Sequence, residues 1–308
     1  MEPITWWIEN TTPMELRPAI KEGAESWNIA FEKAGFKNAV VVKEQPDTAD
    51  WDAGDIRYNV LRWTSSPDPP FGGYGPSFVD PRTGQILGAD IMLEWVFVTN
   101  RMKEDALFKT AGLGYMAETE QQRPIDPKRC SMSSELQANM AFGLEVLNAM
   151  DMPEAEKSRF VTEAVHDLIL HEVGHTLGLM HNMKASSIHT PDELRDRALT
   201  MRTGLTGSVM DYTPSNLPWE QGDEVEYFMN APGPYDIWAI RYGYATDADT
   251  DVEAIMVKAI AAESTDPNLL FGNDADDMRS PGGGIDPRVM IDDTSSDPAE
   301  WAVRRAVI

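Results

Sequence analysis

Residues 171–181 constrain the fold more than any other stretch, and they read His-Glu-Val-Gly-His-Thr-Leu-Gly-Leu-Met-His. Histidines four positions apart face the same side of an α-helix, so His171 and His175 can reach one metal ion. Glu172 points to a neighbouring position, where a carboxylate can activate water beside that metal. The spacing therefore predicts a metal site built on a helix.

The same stretch also supplies a third ligand beyond the end of the helix. Gly178 tolerates a positive φ, so it can end the helix and let the chain reverse. That reversal would bring His181 to the metal that His171 and His175 share. Three of the five histidines of the chain fall within this stretch, and a chance match to the pattern is on the order of one in a hundred thousand.

This stretch resembles the extended zinc motif of the metzincin metallopeptidases. In that family the three histidines bind zinc and the glutamate is the general base. The resemblance implies that His171, His175 and His181 hold Zn²⁺ and that Glu172 takes a proton from water. A purely structural zinc site would need a fourth protein ligand, and the sequence supplies no obvious one.

Metzincins also have a methionine turn beneath the zinc, and residues 208–212, Ser-Val-Met-Asp-Tyr, resemble that turn. The resemblance implies that Met210 forms an apolar base under the histidines. It also implies that Tyr212 ligates zinc at rest and then supports the oxyanion during catalysis. The alternative for Tyr212 is a core tyrosine with a hydrogen-bonded hydroxyl.

The N-terminal part, with Trp-Trp-Ile-Glu-Asn-Thr-Thr-Pro at residues 6–13, further resembles a bacterial group of large surface or secreted zinc proteases, the Met-zincins. The resemblance implies an α+β zincin with a twisted, mostly parallel sheet and the zinc helix as the cleft floor. A smaller, mainly irregular and helical C-terminal subdomain would complete it. We expect a catalytic domain at 1–245, with subdomains at 1–178 and 179–245, and an acidic extension at 246–308.

Residue patterns place the strands and helices that such a fold requires. Strands are predicted at 4–8, 39–43, 56–63, 77–80 and 85–95, and the main helices at 13–34, 97–108, 134–147, 153–177 and from 234 onward. The resemblance makes the strand at Gly88–Leu93 the sheet edge above the cleft. A substrate peptide would pair with Gly88, Ala89, Asp90 and Ile91 there; the alternative is an ordinary edge covered by a loop.

The charge balance excludes some partners, because 51 acidic residues against 26 basic ones give a net charge of −25. Such a surface repels nucleic acid and anionic membranes, and no apolar run is long enough for a membrane span. The acidity fits either a solvated surface or calcium binding. In relatives a loop near Asp80 and Asp90 binds a structural cation, so these two residues are candidates.

Cellular location is not set by the residues themselves. Cys130 is the only cysteine, so an intrachain disulfide is excluded and the redox compartment stays open. A strand at Ile4–Ile8 follows Met1 without a signal peptide, and Asp297-Pro298 starts a helix without a stop signal. We therefore expect an excised piece of a longer protein, and the resemblance implies an extracytoplasmic location.

The predicted function is a zinc endopeptidase acting on a peptide or protein substrate. One alternative is a zinc hydrolase acting on a non-protein amide, and another is a non-catalytic surface or binding module with a relic metal site. The presence of Glu172 argues against the non-catalytic module, since a glutamate at that position has no structural role in such a site. Two other histidines are predicted not to bind the metal: His166 lies about 140° around the helix from His171, and His189 lies in the following loop.

Overall fold

The computed structural model describes residues 2–64, 73–94, 132–276, 284 and 286–307. Its strands are β1 (Ile4–Ile8), β2 (Val40–Glu44), β3 (Asn59–Thr64), β4 (Gly73–Tyr74), β5 (Ser77–Val79) and β6 (Ile86–Glu94). Its α-helices are α1 (Arg17–Glu25), α2 (Asn28–Lys33), α3 (Met132–Ala149), α4 (Glu154–Thr176), α5 (Arg197–Thr203), α6 (Pro234–Tyr244), α7 (Thr250–Ala262) and α8 (Pro298–Arg305). The predicted helix at 97–108 lies outside the described residues.

The strands form a mixed, mostly parallel sheet. The hydrogen-bonded order is β2-β1-β3-β6-β4, with β5 also pairing with β6. β1 runs parallel to both β2 and β3, and β3 runs parallel to β6. β4 and β5 are antiparallel to β6. Together with the helices, this sheet confirms the predicted α+β architecture with a mostly parallel sheet.

The prediction of a free edge at β6 was wrong. The four residues concerned are Gly88, Ala89, Asp90 and Ile91. β6 pairs with β3 on one side and with β5 on the other, so both of its edges are occupied. The turn from Asp80 to Gln85 folds β5 back onto β6 as a hairpin, with Asp80 N donating to Gln85 O at 2.9 Å. Short connections of this kind favour antiparallel pairing, so the β4–β5 segment becomes the outer chain.

The helix predicted at residues 13–34 is two helices. α1 begins at Arg17 and ends at Glu25, and α2 begins at Asn28. Trp27, between them, is fully buried, and its indole Nε1 donates to the carbonyl of Leu170 on α4 at 2.9 Å. The break therefore coincides with a buried side chain that connects the N-terminal helices to α4.

Gly23 allows α1 to approach α4 closely. A Cβ at this position would lie 2.8 Å from the backbone oxygen of His166 and 3.0 Å from the Cβ of Ile169. Both distances are below ordinary van der Waals contact, so only glycine fits without a shift. α1 thus packs against the part of α4 that immediately precedes His171.

The main hydrophobic core joins the sheet, α1, α2 and α4. Val209 and Met210 from the turn below α4 belong to it, and so does Trp301 from α8. Residues beyond 245 therefore pack against the same core as the predicted catalytic domain. The predicted boundary at residue 245 stays a prediction. Within the described ranges, no helix is both long and apolar enough to cross a membrane.

Candidate active site

The end of α4 arranges the three predicted metal ligands. His171 and His175 lie one turn apart, and Gly178 follows the helix with φ +97°. The amide of Leu179 donates back to the carbonyl of Gly174 at 3.1 Å, which closes the helix end. The chain then reverses, as the glycine predicted, and carries His181 back to the other two histidines.

The three imidazoles meet at their Nε2 atoms. The Nε2 atom of His175 lies 3.1 Å from that of His171 and 3.0 Å from that of His181. One ligand atom from each residue lies within 4.8 Å of the other two. Nitrogens bound to one tetrahedral zinc at about 2.05 Å stand roughly 3.3 Å apart, so the spacing matches a shared metal.

Hydrogen bonds at the opposite ring nitrogens fix the tautomers of the two helical histidines. The Nδ1 atom of His171 lies 2.7 Å from the carbonyl oxygen of Val209, and that of His175 lies 3.1 Å from the carbonyl oxygen of Leu179. A carbonyl only accepts, so both Nδ1 atoms donate, and in the neutral ring Nε2 is then the nitrogen that carries the lone pair.

His181 has a different partner. Its Nδ1 atom lies 2.8 Å from Oδ2 and 3.0 Å from Oδ1 of Asp274. The carboxylate accepts from Nδ1–H, which leaves Nε2 as the ring nitrogen that faces the other two histidines. Sequence reasoning missed Asp274, because it lies 93 positions from its partner in a segment interpreted as an acidic extension, where one more aspartate carries no signal.

Burial keeps the helical imidazoles neutral. Burial, followed by the nearby His175 and His181, lowers the pKa of His171 well below its usual value. Burial likewise lowers the pKa of His175 to about 4. Near pH 7 these two rings therefore bring unprotonated Nε2 atoms close together, an arrangement that a bound cation would stabilise. Three converging imidazole nitrogens fit Zn²⁺ in donor type, number and spacing.

The turn at residues 208–212 passes beneath these rings and is held by Asp236. Its carboxylate accepts from Ser208 Oγ at 2.5 Å, from Val209 N at 2.8 Å and from Gly233 N at 2.8 Å. Asp236 therefore caps the start of α6 through Gly233 N and also holds this turn. Because Val209 O contacts His171, Asp236 helps to position the first histidine.

Met210 lies directly below α4. A Cβ on Gly174 would stand 2.4 Å from Met210 Sδ, so the glycine leaves room for the thioether under the histidines. Met210 is fully buried, which fits the predicted apolar base. Gly174 is one of the two unspecified positions between Glu172 and His175, and sequence reasoning gave it no role.

Tyr212 completes the group of rings. Its hydroxyl lies 2.9 Å from Nε2 of His181, the atom that faces the other two histidines. The ring is 3% exposed and belongs to a small apolar cluster with Met183, Val289 and Ile291. The structure thus brings the predicted tyrosine to the metal-binding nitrogens.

Glu172 is fully buried on α4, next to His171. The chain between β4 and β5 passes close to it, since a Cβ on Gly75 would lie 3.1 Å from Glu172 Oε2 and 3.0 Å from its backbone oxygen. The outer chain of the sheet therefore runs beside the carboxylate. Like Gly174, Gly75 is a position where only a small residue fits beside the site, and the sequence gave no signal for it.

The remaining candidates lie outside this group. His166 Nε2 lies 3.3 Å from Ser26 Oγ, and His189 is buried with its Nε2 atom 3.0 Å from the carbonyl oxygen of Gly204. The Asp80 carboxylate pairs with Arg82 at 2.7 Å, which lowers the pKa of Asp80. Asp90 lies 3.3 Å from Val60 N. A cation shared by Asp80 and Asp90 has no support in these contacts.

Comparison with known proteins agrees with this geometry. The model of the Met-zincin family matches residues 153–307, which contain α4, all three histidines and the turn at 208–212. The chain belongs to the Met-zincin family. The family match continues through Asp274 and α8, so it spans the boundary predicted at residue 245. No curated protein and no solved structure matches the sequence.

Proposed function

We propose that this Met-zincin is a zinc endopeptidase. One observation carries the proposal: the Nε2 atoms of three imidazoles converge, with separations of 3.0 and 3.1 Å from that of His175, beside the buried Glu172 of α4. His171, His175 and His181 would hold the metal. Zinc bound there would polarise the scissile carbonyl and acidify a water molecule to a pKa of about 7.

Glu172 and Tyr212 would divide the remaining chemistry. The Glu172 carboxylate would receive the proton of the attacking water and pass it to the departing amine nitrogen. The Tyr212 hydroxyl, beside the histidine nitrogens, would donate to the developing oxyanion. Met210 would keep the underside of the rings apolar and closely packed.

The sheet edge supports a peptide as the substrate. The observed strand order ends at β4, and β5 continues the same outer chain along β6. An extended peptide could add to β4 and β5 through main-chain hydrogen bonds, in place of the β6 contacts predicted from sequence. Because Gly75 lies in this outer chain, a peptide bound there would run beside Glu172. An extracytoplasmic location stays a prediction.

The test combines zinc content with cleavage of an unfolded protein. Glu172→Ala should bind zinc as the wild type does, since all three ligands remain, but cleave about 10²–10⁴-fold more slowly. Glu154→Ala is the matched control, because this glutamate lies on the same helix with an 86% exposed side chain. Equal cleavage by Glu172→Ala and wild type, or none by zinc-loaded wild type, would overturn the proposal.

A further inference from the structure

The three histidines are supported unequally at their outer ring nitrogens. His171 and His175 donate to neutral backbone carbonyls, those of Val209 and Leu179. His181 alone has a charged side chain as its acceptor, the Asp274 carboxylate at 2.8 Å. Charge-assisted hydrogen bonds are roughly twice as strong as neutral ones. His181 therefore receives the strongest single support of the three.

His181 is also the ligand with the least support from regular structure. His171 and His175 lie on α4, whose backbone fixes their positions. His181 follows the helix in a segment without helix or strand. Its imidazole is 10% exposed, so the ring is enclosed, but no secondary-structure ladder orients it. A specific partner is needed to hold this ring toward the metal.

The segment that carries Asp274 is tied to the residues that follow His181. Met183 N donates to Gly272 O at 2.7 Å, and Asn182 Nδ2 donates to Leu270 O at 2.9 Å. Asn182 Oδ1 in turn accepts from Gly272 N at 3.1 Å. Three hydrogen bonds therefore fix the position of the carboxylate relative to the imidazole.

Gly272 shows how closely this segment is packed. A Cβ there would lie 2.5 Å from Cγ2 of Val289 and 3.4 Å from Cβ of Lys184. The segment thus lies between the chain after His181 and the later stretch that carries Val289. It is built into the site and does not lie loosely over it.

We propose that Asp274 is a positioning residue for zinc, acting through His181. It holds the imidazole with Nε2 toward the metal, fixes the Nδ1–H tautomer and adds electron density to the metal-binding nitrogen. The catalytic site is then completed by the segment at 270–274, beyond the stretch that contains the zinc motif and the turn at 208–212. This inference rests on the proposed zinc site, but not on the identity of the substrate.

The test measures zinc affinity of the full chain by competition with a chromophoric chelator. Asp274→Ala should weaken zinc binding about 10–100-fold, the usual effect of removing such a partner. Asp274→Asn should fall between wild type and Asp274→Ala, because an amide oxygen still accepts from Nδ1–H but carries no charge. Asp276→Asn is the matched control: it removes the same charge from an exposed position two residues away.

Two further readouts separate positioning from a general loss of structure. Circular dichroism should show the same fold for all three variants without metal. The visible spectrum of the Co²⁺-loaded protein should change for Asp274→Ala and stay unchanged for Asp276→Asn. If Asp274→Ala does not fold, Asp274→Asn decides the question, with wild-type affinity counting against the proposal.

Zinc affinity equal to wild type in Asp274→Ala, or equal losses in Asp274→Asn and Asp276→Asn, would overturn the inference. Its failure differs from a failure of the proposed function. A zinc-loaded wild type without peptidase activity would refute the endopeptidase and leave the role of Asp274 intact. Peptidase activity together with a zinc affinity that does not change in Asp274→Ala would refute the role of Asp274 and leave the proposed function intact.

Discussion

Gly174→Ala tests whether the close packing of Met210 beneath α4 contributes to the stability of the protein and to its zinc affinity. The new Cβ would lie 2.4 Å from Met210 Sδ and 2.9 Å from Trp27 Cζ2. Favourable contacts between such atoms are at about 3.5–4.0 Å, so Met210 would have to move by roughly 1 Å or more. Overpacking of this kind costs about 1–3 kcal/mol, and we take the upper part of that range.

Alanine also favours the helix over glycine by about 0.8–1 kcal/mol, which offsets part of this cost. The free energy of unfolding should therefore fall by about 1–2 kcal/mol. Zinc affinity should fall as well, by about 10-fold. The reason is that Met210 O accepts from Asn182 N at 2.9 Å, next to His181, and a displaced Met210 would disturb this ligand.

Urea denaturation of the zinc-free proteins measures the change in stability. Gly243→Ala, near the end of α6, is the matched control, because its Cβ would meet no atom within 4 Å and should not destabilise the protein. Met210→Ala provides a second check. In that background Gly174→Ala should cost at least about 1 kcal/mol less, since the sulfur is gone. Equal effects of Gly174→Ala and Gly243→Ala, or additivity in the double variant, would refute the argument.

Three other predictions follow. Burial raises the pKa of Asp236 from 3.8 to about 6. As pH rises from 4 to 6, this carboxyl ionises in the unfolded chain while it stays protonated in the folded protein. The free energy of unfolding of the wild type should therefore fall by about 3 kcal/mol over this range. Asp236→Asn should lack this loss when the free energy of unfolding is measured with urea at several pH values. The same pH dependence in the variant and the wild type would contradict the prediction. Tyr212→Phe should lower kcat about 10²-fold with the buried ring still in place; an unchanged kcat argues against the oxyanion role. Gly75→Ala should lower kcat about 10-fold at unchanged zinc content by displacing the Glu172 carboxylate by a few tenths of an ångström, whereas a parallel loss of zinc would point to a wider disruption.

The prediction that β6 forms the edge of the sheet was wrong because strand order cannot be read from the sequence alone. Alternation and β-branched residues indicated strands near 77–80 and 85–95, and both exist as β5 and β6. Nothing in a single sequence says which of two neighbouring strands lies outside, because that depends on hydrogen bonds between strands. The hairpin at residues 80–85 decided it.

By itself, the sequence determined the group of three histidines proposed to bind the metal. The spacing of His171 and His175, the reversal at Gly178 and the following His181 are local properties of a helix and its end, and local geometry follows from residue order. The tertiary structure alone decided what surrounds that group. Asp274 and Gly75 reach the site from 93 positions after His181 and from nearly a hundred before Glu172, and contacts over such separations arise only when the packed chain brings distant segments together.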